Sequence, residues 1–75
     1  MAKMYIQKVT GSFEDSDRLE DARDYLLANG FDESELHSKP GGLLTIFAAS
    51  IVEAQEAIDV LRNYGAINIS APDVV

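Results

Sequence analysis

The sequence predicts an α+β open sandwich, four antiparallel strands with two helices on one face of the sheet. Two apolar stripes at helical spacing, closed by glycines at Gly30 and Gly65, predict the helices. A nearly unbroken apolar run from Leu43 to Ala49, directly behind the turn Lys39-Pro40-Gly41-Gly42, predicts a strand in the middle of the sheet that pairs with the segment before it.

Taken in order, Met4 to Val9 reads as the first strand, with Met4 and Ile6 pointing one way and Tyr5, Gln7 and Val9 the other. Thr10-Gly11-Ser12 is expected to close it as a bend. Asp15, Ser16 and Asp17 are each able to cap a helix, and Asp17 stands three residues before Glu20, the spacing of a capping box. The first helix is expected from about Ser16 to Asn29. Leu19, Ala22, Tyr25 and Leu26 form its apolar stripe, while Arg18, Glu20, Asp21, Arg23 and Asp24 stay in water. Asn29-Gly30 ends it, because glycine takes a positive φ without a Cβ clash.

Phe31 is expected to pack back over that helix end. Asp32 to Ser38 is polar, with Leu36 as its one large aliphatic side chain, and reads as an edge strand. The Pro40-Gly41-Gly42 hairpin leads into the central strand, whose Leu43 and Phe47 point to one face and Leu44 and Ile46 to the other. Ser50 and Glu53 have capping-box spacing, and Ala54, Ala57, Ile58 and Leu61 make the stripe of a second helix ending near Gly65. Ile67 and Ile69 mark a short last strand before the tail Ala71-Pro72-Asp73-Val74-Val75.

Strand, helix, strand, strand, helix, strand, with right-handed crossovers and a central hairpin, gives the strand order 4-1-3-2 of a ferredoxin-like open sandwich. A shift of 35 residues lays Ala22 on Ala57, Asp24 on Asp59, Leu26 on Leu61 and Gly30 on Gly65, as two similar halves would. The 75 residues form one domain, ordered over about residues 4–70.

Composition narrows the chemistry. The chain has no cysteine, so disulfides, thiolate nucleophiles and cysteine-ligated metal sites are excluded. Six Lys and Arg against thirteen Asp and Glu leave a net charge of -7, which opposes a nucleic-acid backbone or an anionic membrane surface. The polar pair Gln7-Lys8 interrupts the start before a leader of signal-peptide length can form, so a cytoplasmic protein without a membrane partner is expected.

His37 is the only histidine; on a continuous strand it would share a face with Glu33 and Glu35, a weak arrangement for a divalent ion, and an ordinary solvated edge is the expected reading. The acids Glu14, Asp15, Asp17, Glu20, Asp21 and Asp24 are expected to serve the start of the first helix and solubility. Neither GxGxxG nor GxxxxGK[ST] occurs, so Gly41 and Gly42 are hairpin glycines. Tyr5 and Phe47 resemble the stacking positions of ferredoxin-like RNA binders only superficially, because the basic glycine-aromatic segment of such modules is missing and Lys8 alone cannot offset the acidic field. No catalytic residue, metal ligand or cofactor site is expected.

Val9-Thr10-Gly11-Ser12-Phe13, the acidic helix start near Asp17, Asn29-Gly30-Phe31, Pro40-Gly41-Gly42-Leu43, Glu53-Ala54 and Tyr64-Gly65-Ala66 together resemble the small domain of bacterial general stress proteins of the 17M and heat-induced type. The resemblance spans roughly residues 4–70 and implies a stress-associated bacterial protein without catalytic residues or cofactor to carry over. The second strand of that domain is usually more apolar than Asp32 to Ser38.

Both parities of the central strand are apolar, yet helices cover one sheet face only, so a homodimer or other protein contact through the open face is expected, with Tyr5, Leu43, Thr45 and Phe47 as the interface. The expected function is a noncatalytic interaction or structural module. The alternative is a regulatory domain of the ACT type, binding an amino acid or similar small ligand at the bend Thr10, Gly11 and Ser12. An acylphosphatase-like enzyme would need an arginine in the segment after the first strand, which reads Thr10-Gly11-Ser12-Phe13-Glu14.

Overall fold

The computed structural model describes residues 7–71. Its elements are β1 (Gln7–Ser12), α1 (Ser16–Ala28), a single 3-10 turn (Glu33–Glu35), β2 (Leu36–Lys39), β3 (Leu43–Ala48), α2 (Ile51–Asn63) and β4 (Ile67–Ser70). The strands hydrogen-bond in the order β2-β3-β1-β4, every neighbouring pair antiparallel, and both helices pack on one face. This is the ferredoxin-like open sandwich. Tyr5, the strand residues Met4 and Ile6, and the tail beyond Ala71 lie outside the described residues.

The two helices are built alike. Both have 13 residues, and their N-caps, Asp15 and Ser50, are 35 positions apart. Asp15 Oδ1 accepts the Asp17 N–H at 2.9 Å, and Ser50 Oγ accepts the Glu53 N–H at 3.1 Å, so each start satisfies a donor with no intrahelical partner. Glu53 Oε1 also takes the Ala49 N–H at 3.2 Å.

Both C-termini are Schellman motifs. Phe31 N–H donates to Leu26 O at 3.1 Å and Gly30 N–H to Leu27 O at 3.3 Å; thirty-five residues on, Ala66 N–H donates to Leu61 O at 2.8 Å and Gly65 N–H to Arg62 O at 3.1 Å. The φ angles of Gly30 and Gly65, +100° and +87°, are those the motif requires at this position. Phe31, buried, seals the end of α1 as expected.

The core lies between helices and sheet. Leu44, Ile46 and Ala48 of β3 and Val9 of β1 face the helices and meet Leu19, Ala22 and Leu26 of α1 and Ala54, Ala57, Val60 and Leu61 of α2. Complete burial of each larger aliphatic side chain stabilises by about 1.5 to 3 kcal/mol. The α2 stripe runs through Val60, with Ile58 half-buried beside it, and Tyr25 of α1 is 46% exposed rather than in the core.

Two stretches differ from the sequence-based expectation. β1 does not end in a bend at Thr10-Gly11-Ser12 but pairs with β3 in register from Gln7 opposite Ala48 to Ser12 opposite Leu43. Gly11 serves close approach here: a Cβ on it would stand 3.1 Å from Leu61 Cδ1 and 3.2 Å from the Ala66 Cβ. The helix cap is Asp15, not Asp17 with Glu20, because Asp15 has the extended backbone of a cap while Asp17 already lies in the first turn.

The first half of the expected edge strand is the 3-10 turn. Glu35 N–H donates to Asp32 O at 2.9 Å and Glu35 Oε1 accepts the Asp32 N–H at 2.7 Å, an exchange that curls the chain and leaves Glu35 buried. Pairing with β3 begins only at Leu36.

Candidate functional site: the open face of the sheet

Residues directly opposite one another in antiparallel strands share a face, so the register defines the side away from the helices row by row. His37, Thr45, Thr10 and Ser70 form one row from β2 to β4, and Lys39, Leu43, Ser12 and Ile67 the next. Phe47 and Lys8 pair in a third row, on β3 and β1. Two rows run from edge to edge of the sheet and the third lies on its two central strands, which is why short strands suffice to assemble a continuous surface. The pairing of β1 with β4 is irregular between Thr10 and Ser12, where Asn68 of β4 takes a φ of +53°.

Of the interface residues expected from sequence, Leu43, Thr45 and Phe47 lie together on this face; Tyr5 is outside the described residues. Thr45 is buried although no described helix stands over it. It forms the floor of a shallow depression of about 210 Å³ whose other lining residues are Lys8, His37, Lys39 and Phe47. The rings of His37 and Phe47 meet edge to face with centroids 5.4 Å apart, a favourable aromatic geometry. His37 Nε2 is 3.0 Å from Ser34 O, and since a carbonyl oxygen can only accept, Nε2 carries the proton.

The charge of this face is opposite to that of the molecule. No carboxylate among the described residues lies on any of the four strands, whereas both described lysines, Lys8 and Lys39, do, and both line the depression. The carboxylates occupy the helices, their caps and the loops, where Arg18, Arg23 and Arg62 offset them only in part. Arg23 Nη2 bonds Glu33 Oε1 at 3.2 Å, and Arg62 Nη1 stands 3.9 Å from Asp59 Oδ1, both in solvent-screened positions. Net charge is a sequence property, but this segregation depends on which side of a strand each residue faces.

The metal arrangement considered for Glu33, Glu35 and His37 does not form, because the 3-10 turn puts Glu35 in the interior, Glu33 against Arg23 and His37 on the open face. Among the described residues no group of three or more His, Asp and Glu is placed to hold a metal ion. Thr10, Gly11 and Ser12, the ligand bend of the alternative reading, are consecutive residues of β1, with Gly11 packed against α2. Elsewhere, Leu19, Asp21, Asp24 and Ser38 line a groove between α1 and β2, and Tyr25, Glu56, Asp59 and Tyr64 one between the helices, where the tyrosine rings lie 6.0 Å apart.

Among the described residues no helix is long and apolar enough to cross a membrane. Comparison with family models, with curated proteins and with solved structures finds no match for this chain. The described structure establishes a small ferredoxin-like domain.

Proposed function

We propose that the protein is a noncatalytic interaction module whose working surface is the open face of its sheet. The observation that carries this reading is the continuous surface spanning β2, β3, β1 and β4, with Leu43, Phe47 and Ile67 among its apolar side chains and Lys8, His37 and Lys39 around a floor made by Thr45. Apolar area bordered by polar groups is the composition of protein contact surfaces. A stress-associated setting is supported by the likeness of the turns alone.

Self-association across the same face is the second reading, favoured by the apolar members Leu43 and Ile67 and opposed by the like charges that two copies would bring together. The small-ligand alternative loses the bend it needed, since Gly11 is strand and its side-chain space belongs to Leu61 and Ala66.

Native mass spectrometry of the protein taken directly from its source tests these readings together. A stoichiometric protein partner is the expected outcome. A chain that retains a small molecule and no protein overturns the interaction module in favour of ligand sensing. Sedimentation velocity into the high micromolar range decides on the homodimer: a strict monomer removes it, and a dimer that disappears in Leu43→Lys supports it.

A further inference from the structure

We propose that the partner of the open face is acidic: a protein segment in which carboxylates flank an apolar anchor, laid across β2, β3 and β1. The inference rests on the reading of that face as the working surface and adds the chemistry of what it takes. Its basis is the sorting of charge. In a chain of net charge -7, every strand is free of carboxylates among the described residues, while the described lysines and the single histidine converge on one depression. An acidic segment approaching the helix layer meets the carboxylates of both helices, whereas approaching the sheet it meets Lys8, His37 and Lys39. Complementary charge of this kind orients an encounter and rejects partners of the wrong sign.

The register sets a length scale for the ligand. Lys8 pairs with Phe47 and Lys39 with Leu43, so the two lysines flank β3 from opposite sides and are offset by four residues along it. With strands about 4.8 Å apart and a rise of about 3.4 Å per residue, their Cα atoms are separated diagonally by about 17 Å. An extended peptide covers that span in about five residues, with its carboxylates at the two ends and its apolar side chains over Thr45 and Leu43.

Other occupants fit less well. A single-stranded nucleic acid is held by neutralising successive phosphates and stacking successive bases; two lysines and one histidine supply few such contacts on so acidic a molecule. A second copy covering this face across a two-fold axis brings two like-charged sets of lysines to one interface.

Titration of the isotope-labelled protein, followed by backbone amide shifts, tests the proposal with three probes: a ten-residue peptide alternating Glu and Leu, its Lys and Leu counterpart, and a ten-nucleotide oligothymidylate. The acidic peptide is expected to shift Lys8, His37, Lys39 and Thr45, and to bind at least about tenfold more weakly to the Lys8→Glu/Lys39→Glu variant. Raising NaCl from about 50 to about 300 mM should weaken it several-fold. Arg62→Glu, on the helix layer, should leave the affinity within about twofold. Both substituted positions are exposed, and an unchanged amide spectrum in the free variants confirms that they fold.

Shifts on the open face from the basic peptide or the oligonucleotide, equal to or stronger than those from the acidic peptide, overturn the acidic assignment and leave the surface standing. Binding of the acidic peptide at the helix layer overturns it as well. A monomer whose open face responds to none of the three probes sinks the assignment and the working surface together.

Discussion

At Gly42 two independent constraints meet. Its φ is +87°, and a Cβ added there would overlap the carbonyl oxygen of Phe13, whose N–H donates to Gly42 O at 2.7 Å. Gly30 has a φ of +100° but open space where its Cβ would stand. Gly30→Ala therefore carries the backbone term alone, about 1 kcal/mol, whereas Gly42→Ala adds a clash with immovable backbone and should destabilise by about 2 to 4 kcal/mol. Urea denaturation of the two variants checks this, and equal losses would contradict the close contact. A second residue-scale case is Gln7, whose Nε2 is buried and finds no hydrogen-bond partner among the described residues. Gln7→Met, close in shape and without a donor, is expected to keep or raise stability by up to about 1 kcal/mol, and a clear loss in the same denaturation assay would reveal an acceptor for that amide.

Among the elements, the helices were the most legible in sequence because their limits are set by local chemistry. Asn29-Gly30 and Tyr64-Gly65 specify helix ends through one backbone angle each, and Ser50 specifies a start through one hydroxyl. Ser50→Ala should cost about 1 kcal/mol in thermal or urea unfolding, and Ser50→Asp, which restores an acceptor, should recover most of it. Equal loss in both variants would mean that Ser50 acts by packing instead of capping. The strands were less legible because pairing is not local. Thr10-Gly11-Ser12 carries turn residues, yet six consecutive pairs with β3 and the need for a flat approach under Leu61 keep it extended. Asp32 to Ser38 carries no apolar alternation to hold a strand, and the reach of Glu35 back to the Asp32 N–H curls its first half. The open face was readable only from the parity of Leu43 and Phe47; its cationic character needed the register, since Lys8 and Lys39 come from two strands that do not touch each other.

For the whole molecule, the strand order β2-β3-β1-β4 interleaves two halves that look alike in sequence. The 35-residue correspondence of caps, core alanines and Schellman glycines would suit two self-contained β-α-β units, but β1 and β2 do not pair with each other: β3 of the second half stands between them. In the same way β3 and β4 are separated by β1 of the first half. Each half alone therefore keeps a helix and two strands with no ladder between them, and the two strand pairings other than the β2–β3 hairpin join distant parts of the chain. An isolated helix of 13 residues is marginal in water, and strands without partners leave their backbone groups to solvent. Peptides covering residues 1–40 and 41–75 are thus expected to show neither strand content nor a cooperative melt by circular dichroism. The intact chain should melt in one transition, because removing either half strips a central strand from the other. Cooperative unfolding of the 1–40 peptide alone would contradict the interleaved sheet. Recovery of sheet signal on mixing the two peptides would support it, since each half then supplies the strand that the other is missing.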